Sequence, residues 1–129
     1  MSPPKTVLLV GLQPTLIDYA APDYAAFPGM NASKVQAGLD ADVASLISLG
    51  YDAALCLTDF GETSEATVTA ALDAKAYDCV VIGAGVRTIG KNFLLFEKLI
   101  NVVHNKAPQA KICFNTGPND SLAAVQRWI

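Results

Sequence analysis

The sequence predicts an α/β fold: one three-layer α/β/α domain built on a parallel four-stranded sheet in the order 2-1-3-4. Three observations lead there. Four short apolar runs, TVLLV, AALCLT, CVVI and KICF, read as strands buried on both faces. Each is followed by a segment with apolar residues at helical spacing. Most connections are short, as in βα crossovers.

Thr6 to Val10 is the first strand, stopping at Gly11. The Gly11–Gly29 stretch that follows is long for a βα connection, where roughly 2–6 residues is usual. Pro14, Pro22 and Pro28 punctuate it, and Asp18-Tyr19-Ala20-Ala21 is nearly repeated as Asp23-Tyr24-Ala25-Ala26. Two readings stay open: a binding loop carrying Gln13, Asp18, Tyr19 and Tyr24 over the sheet edge, or a packed surface loop.

Asn31 or Ser33 can cap the next helix, which runs to about Leu49 with Val35, Leu39, Val43, Leu46 and Ile47 on one apolar face. Gly50 stands where a helix C-terminus prefers glycine. The second strand, Ala53 to Thr58, exits into Asp59-Phe60-Gly61-Glu62-Thr63, and Thr63 or Ser64 caps a helix through Lys75 that buries Val68, Ala71 and Leu72. The third strand, Cys79 to Ile82, is the centre of the sheet and opens into Gly83-Ala84-Gly85, then Arg87 and Thr88.

The helix Lys91–Asn105 carries apolar residues (Phe93, Leu95, Phe96, Leu99, Ile100, Val102, Val103) over about half its circumference, more than the ~100° stripe that a surface helix needs. A second subunit or a terminal element is expected to cover the surplus. The edge strand Lys111–Phe114 is itself an apolar edge, which again favours a homodimer. It leads to Asn115-Thr116-Gly117-Pro118, and a last helix from about Asp120 carries Leu122, Val125, Trp128 and Ile129.

Composition narrows the function classes. Residues 1–129 suffice for one domain, and 52% hydrophobic against 16% charged residues describes a globular chain. A net charge of −3 without basic runs argues against nucleic acid or an anionic membrane as partner. No apolar run approaches the roughly 18 residues of a membrane span, and the start MSPPKTVLLVG is too short in apolar length for a signal peptide. Cys56, Cys79 and Cys113, widely spaced among apolar neighbours, are expected as reduced core residues of a cytoplasmic protein, without metal-site spacing.

Strand exits and helix starts share one rim in this architecture, so Gln13, Asp59, Glu62, Arg87, Lys91, Asn115 and Thr116 are expected together. The ligand-binding candidates are Gln13, Gly83, Gly85, Arg87, Thr88, Asn115 and Thr116, with Arg87 as an anion seat or, equally, as the ion-pair partner of Asp59 or Glu62. Asp59 and Glu62 are the candidate general acid and base, set against a role as turn and cap residues. His104, the single histidine, falls on the opposite rim, where a solvated helix-end role is expected. Gly83-x-Gly85 lacks the third glycine of a dinucleotide fingerprint, and no GxxxxGK[ST] is present. The expectation is a module that binds a small anionic metabolite or a partner at this rim. The alternative is a small enzyme acting on an anionic or carbonyl metabolite by acid/base chemistry.

In layout, and in the run Lys75-Ala76-Tyr77-Asp78-Cys79-Val80-Val81-Ile82, the chain resembles response-regulator receiver domains. That family has paired acids after its first strand, where Gly11-Leu12 stand here, and a phospho-accepting Asp at the end of the third, where Gly83 stands. Thr116 matches its Ser/Thr position, and the Lys-bearing fifth strand is missing, so receiver phosphotransfer is not expected. The layout is also flavodoxin-like, but Gly11-Leu12-Gln13-Pro14 is not a phosphate loop, and no bound FMN is expected. The runs VLLVGLQP, YDCVVIGAGVRT, FEKLINVVH and CFNT resemble a group of small bacterial proteins without an assigned activity. That resemblance implies this fold in a cytoplasmic bacterial setting.

Overall fold

The computed structural model describes residues 3–117 and 120–129; Pro118 of the last strand exit lies outside them. Strands β1 (Thr6–Leu12), β2 (Asp52–Thr58), β3 (Cys79–Ile82) and β4 (Lys111–Phe114) form one parallel sheet in the order β2-β1-β3-β4. This is the flavodoxin-like arrangement without its fifth strand. All four β3 positions are buried, as a central strand covered on both faces requires.

Strand β1 does not stop at Gly11. It continues to Leu12 because seven-residue β2 keeps pairing with it, Gly11 against Leu57 and Leu12 against Thr58. A neighbouring strand satisfies the glycine's backbone groups, so its freedom to turn goes unused. The Gly11–Gly29 segment then folds into two single 3-10 turns, Pro14–Leu16 and Pro22–Tyr24, each opened by the proline whose fixed φ suits a first helical position.

Helix α1 (Ala32–Ser48) is capped by Asn31, whose side-chain oxygen accepts from the Lys34 N–H at 2.9 Å. Its buried row is Leu39, Asp42 and Leu46, with Val35 and Val43 packed beside it. Ile47 does not join this face and is 54% exposed. The row at spacings of three and four passes through Asp42 and leaves Ile47 one step off. Gly50, at φ +94°, ends the helix in the left-handed conformation expected of it.

Helix α2 (Ser64–Ala74) buries Val68 and Leu72. After β3 the expected glycine loop is one helical turn, α3 (Ala84–Arg87), followed by a 3-10 turn (Gly90–Asn92) and α4 (Phe93–Lys106). Asn92, buried, donates to the Gly85 carbonyl at 3.1 Å and so splits the expected continuous helix start at Lys91 into two turns. The last helix, α5 (Ser121–Gln126), buries Ala124 and Val125, while Trp128 beyond it is 56% exposed and outside the core.

Two apolar layers sandwich the sheet. Leu8, Val10, Val80 and Ile82 meet Val68 and Leu72 of α2 and Leu95, Leu99 and Val103 of α4. Val7, Leu9, Cys79, Val81 and Cys113 meet Leu39 and Leu46 of α1 and Val125 of α5. Most of the apolar surplus on α4 is absorbed within the chain. Phe96 and Ile100 pack on the first layer, Phe96 with its ring centroid 5.8 Å from that of edge residue Phe114. Phe93 and Leu94 stay outside it. Cys56, Cys79 and Cys113 are all free and buried, with the Cys79 and Cys113 sulfurs 3.2 Å apart. No helix of the described residues is long and apolar enough to cross a membrane.

Candidate functional site

A pocket of about 450 Å³ opens where the Gly11–Gly29 segment folds over the ends of β1, β3 and β4. Leu12, Ile17, Tyr19, Tyr24, Phe27 and Met30 come from the first strand and the loop. The first two turns of α1 supply Lys34, Val35, Gly38 and Leu39. The end of β3 and the α3 turn supply Gly83 to Val86, Thr88 and Ile89, and the exit of β4 supplies Asn115 to Gly117. The size and the mostly apolar lining are those of a small-molecule site at the carboxyl ends of parallel strands.

The loop is held in place as a roof. Lys91 Nζ lies 3.5 Å from Asp23 and over the Tyr24 ring at 5.8 Å, which ties the second 3-10 turn to the start of α4. The Tyr19 hydroxyl donates to the Pro14 carbonyl at 2.8 Å, and the two tyrosine rings meet at 5.8 Å. Burial pushes both phenols above their ordinary value, so they stay neutral. Of the four residues of the binding-loop reading, Tyr19 and Tyr24 line the pocket and cover its apolar area, while Gln13 and Asp18 do not. Gly83 makes the close approach possible. Its N–H donates to the Val10 carbonyl at 2.8 Å, and a Cβ there would sit 3.2 Å from the same oxygen.

Five of the seven expected ligand-binding residues, Gly83, Gly85, Thr88, Asn115 and Thr116, line this pocket. Gln13 and Arg87 do not. Gln13 extends the sheet by donating its N–H to the Thr58 carbonyl. Arg87 Nη2 donates to the Asn115 carbonyl at 3.0 Å, and the guanidinium lies over the Phe114 ring at 5.8 Å. It makes no ion pair with Asp59 or Glu62 among the described residues. The arginine braces the β4 exit from behind the pocket wall.

Asp59 and Glu62 lie away from the pocket. Asp59 accepts the Gly61 and Thr63 N–H groups and the Thr63 hydroxyl, the latter at 2.6 Å. These bonds, led by the hydroxyl, hold its carboxyl below the ordinary range. This is the chemistry of a turn ahead of α2, whose N-cap residue Thr63 makes no side-chain cap bond, and the expected acid/base pair is not assembled in the pocket. Asp120 repeats the pattern after β4, where burial would raise its carboxyl but the Thr116 hydroxyl and the Thr116 and Gly117 N–H groups outweigh it and lower it. His104 is exposed and does not line the pocket. No three His, Cys, Asp or Glu side chains gather as a metal set among the described residues.

Behind the pocket floor runs a buried polar chain of which the sequence marks only Asn115. Asn115 Oδ1 accepts the Ala84 N–H at 2.7 Å, Asn115 Nδ2 donates to Ser121 Oγ at 2.8 Å, and Ser121 donates to Asp42. Asn115, Ser121 and Asp42 are buried, and together they bind the β4 exit to α3, α5 and α1. A signal for it was present: an acid stands midway along the apolar row of α1. Lys34 was missed as well, although a cation occupies the position where a capping box places Glu or Gln.

Burial raises the Asp42 carboxyl, which outweighs the Ser121 bond that lowers it; Asp120 nearby raises it further. A carboxyl raised in the folded state stabilises fully below its unfolded pKa of about 3.9, and that contribution is lost as pH rises through the folded value. Wild type should therefore gain stability relative to Asp42→Asn as pH falls from neutral toward about 4. Urea melts across that range measure it, and a pH-independent difference would show that Asp42 does not titrate there.

The chain matches no protein-family model, no curated protein and no solved structure.

Proposed function

We propose that the protein is a binding module that takes a small molecule, rather than an enzyme, at the C-terminal rim of its sheet. The pocket carries this reading: about 450 Å³, lined mainly by apolar and aromatic side chains, and roofed by a loop whose Asp23 pairs with Lys91. The anionic metabolite expected at Arg87 has less behind it, since that residue does not line the pocket; its Nη2 bonds the Asn115 carbonyl, and its buried Nε has no partner among the described residues. The acid/base alternative has less behind it, because Asp59 lies outside the pocket and its carboxylate is taken up by the turn that precedes α2. A homodimer through α4 and β4 belongs to the same proposal and rests on Phe93 and Leu94, 61% and 72% exposed on the first turn of α4. A cytoplasmic setting, supported by three free buried thiols, completes it.

The test uses N-phenylnaphthylamine, a neutral dye that fluoresces on leaving water. Wild type should bind it saturably. Phe27→Ala removes an exposed wall of the pocket and should weaken binding about tenfold, the loss of roughly two buried methylenes' worth of contact. Val35→Trp fills the pocket and should abolish binding with the fold intact by circular dichroism. Equal binding by all three proteins would overturn the pocket as the site. Sedimentation of the same samples reads the assembly state, and a monomer at every concentration would remove the dimer.

A further inference from the structure

Among the described residues that line the pocket, Lys34 alone carries a charge, and no carboxylate joins it. The nearby acids are spent on other partners. Asp23 faces Lys91, Asp18 accepts the Ala20 N–H, and Asp120 accepts from Thr116 and Gly117. Lys34 is therefore the ionic group that the described wall offers a ligand.

The position of Lys34 is unfavourable for the helix itself. It is the third residue of α1, where the helix dipole favours an anion and opposes a cation by about 0.3–1 kcal/mol. The first turn of α1 carries no acid to offset it. Its own contact is one hydrogen bond to the Gly29 carbonyl at 2.9 Å, which uses one of the three ammonium protons. A residue that breaks a local rule with little local return is the kind found at functional sites.

Of the other polar side chains of the wall, only Tyr24 has a buried hydroxyl without a partner among the described residues. The Thr88 hydroxyl donates to the Ala84 carbonyl, Asn115 is bonded through both ends of its amide, and the Thr116 hydroxyl is bonded to Asp120. The Tyr19 hydroxyl donates to Pro14. A ligand body carrying several polar groups would lose its water and find few free partners here. One without them is met by Leu12, Ile17, Phe27, Met30, Leu39 and Ile89.

Resting on the pocket reading above, we infer that the ligand is a single-headed amphiphile, a monocarboxylate with an apolar aliphatic or aromatic body. Its carboxylate pairs with Lys34 at the mouth and its body lies under Tyr19, Phe27 and Met30. A lone ammonium with no guanidinium fork beside it suits one monoanionic head better than a phosphate.

Octanoate, octanol and octylamine share a chain and differ in the head. Each is titrated at neutral pH into the protein holding N-phenylnaphthylamine, and by calorimetry into the protein alone. Octanoate should bind at least about tenfold more tightly than octanol, with octylamine weakest. The preference should vanish in Lys34→Gln, which still donates a hydrogen bond, and persist in Lys34→Arg. If octanol or octylamine binds as tightly as octanoate, or Lys34→Gln keeps the preference, the carboxylate class is wrong while the pocket reading stands. If neither the dye nor any of the three compounds binds wild type, the pocket reading fails and this inference with it.

Discussion

Leu99→Ala is expected to destabilise the domain by about 3–5 kcal/mol, the range of fully buried leucines that leave a cavity behind. Leu99 has no exposed surface and sits in the α2–α4 layer among Leu8, Val10, Val80, Ile82 and Val103. Every neighbour belongs to a rigid strand or helix, so the space cannot collapse cheaply. Urea unfolding should show the midpoint fall with an unchanged slope. Leu94→Ala, five residues earlier on the same helix, is the comparison: Leu94 is 72% exposed, and its truncation in a monomer should cost no more than about 0.5 kcal/mol. A loss under about 1.5 kcal/mol for Leu99→Ala would mean that this layer is packed more loosely than its burial indicates. Leu99 does not line the pocket, so binding by the folded fraction should be unchanged.

Asn115→Ala is expected to cost about 2–5 kcal/mol, for a different reason. Its amide bridges Ala84 and Ser121, and truncation leaves a backbone N–H and a buried hydroxyl each short of a partner. A buried group left unsatisfied costs about 1–3 kcal/mol. Asn115 also lines the pocket, and its position sets the distance between the β4 exit and the α3 turn. The variant should therefore lose dye binding as well as stability, unlike Leu99→Ala. Ser121→Ala breaks the chain one link further back, and the double variant should cost less than the sum of the two single ones by about 0.5–3 kcal/mol. Additive losses would show that Asn115 and Ser121 act separately and that no connected network stands behind the pocket.

The sequence by itself determined the sheet. The bounds of β3 and β4, the strand order and the alternation with helices all follow from short apolar runs and helical periodicity, because burial on both faces of a central strand leaves little choice of side chain. Of the seven ligand-binding candidates it offered, Gly83, Gly85, Thr88, Asn115 and Thr116 line one pocket, since strand exits in a parallel sheet share a rim. Tertiary structure decided the rest. Gly11 extends a strand because β2 is there to pair with it, and Arg87 turns to a carbonyl because the β4 exit brings one within 3.0 Å. Asp42 is buried because Ser121, far along the chain, reaches it, and Lys34 faces a cavity because the loop closes opposite α1. A charge pattern shows which residues are polar but not which will be paired. Pairing depends on what the fold brings within about 3 Å, and the one cation on the wall of this pocket, Lys34, has no carboxylate within ion-pair distance among the described residues.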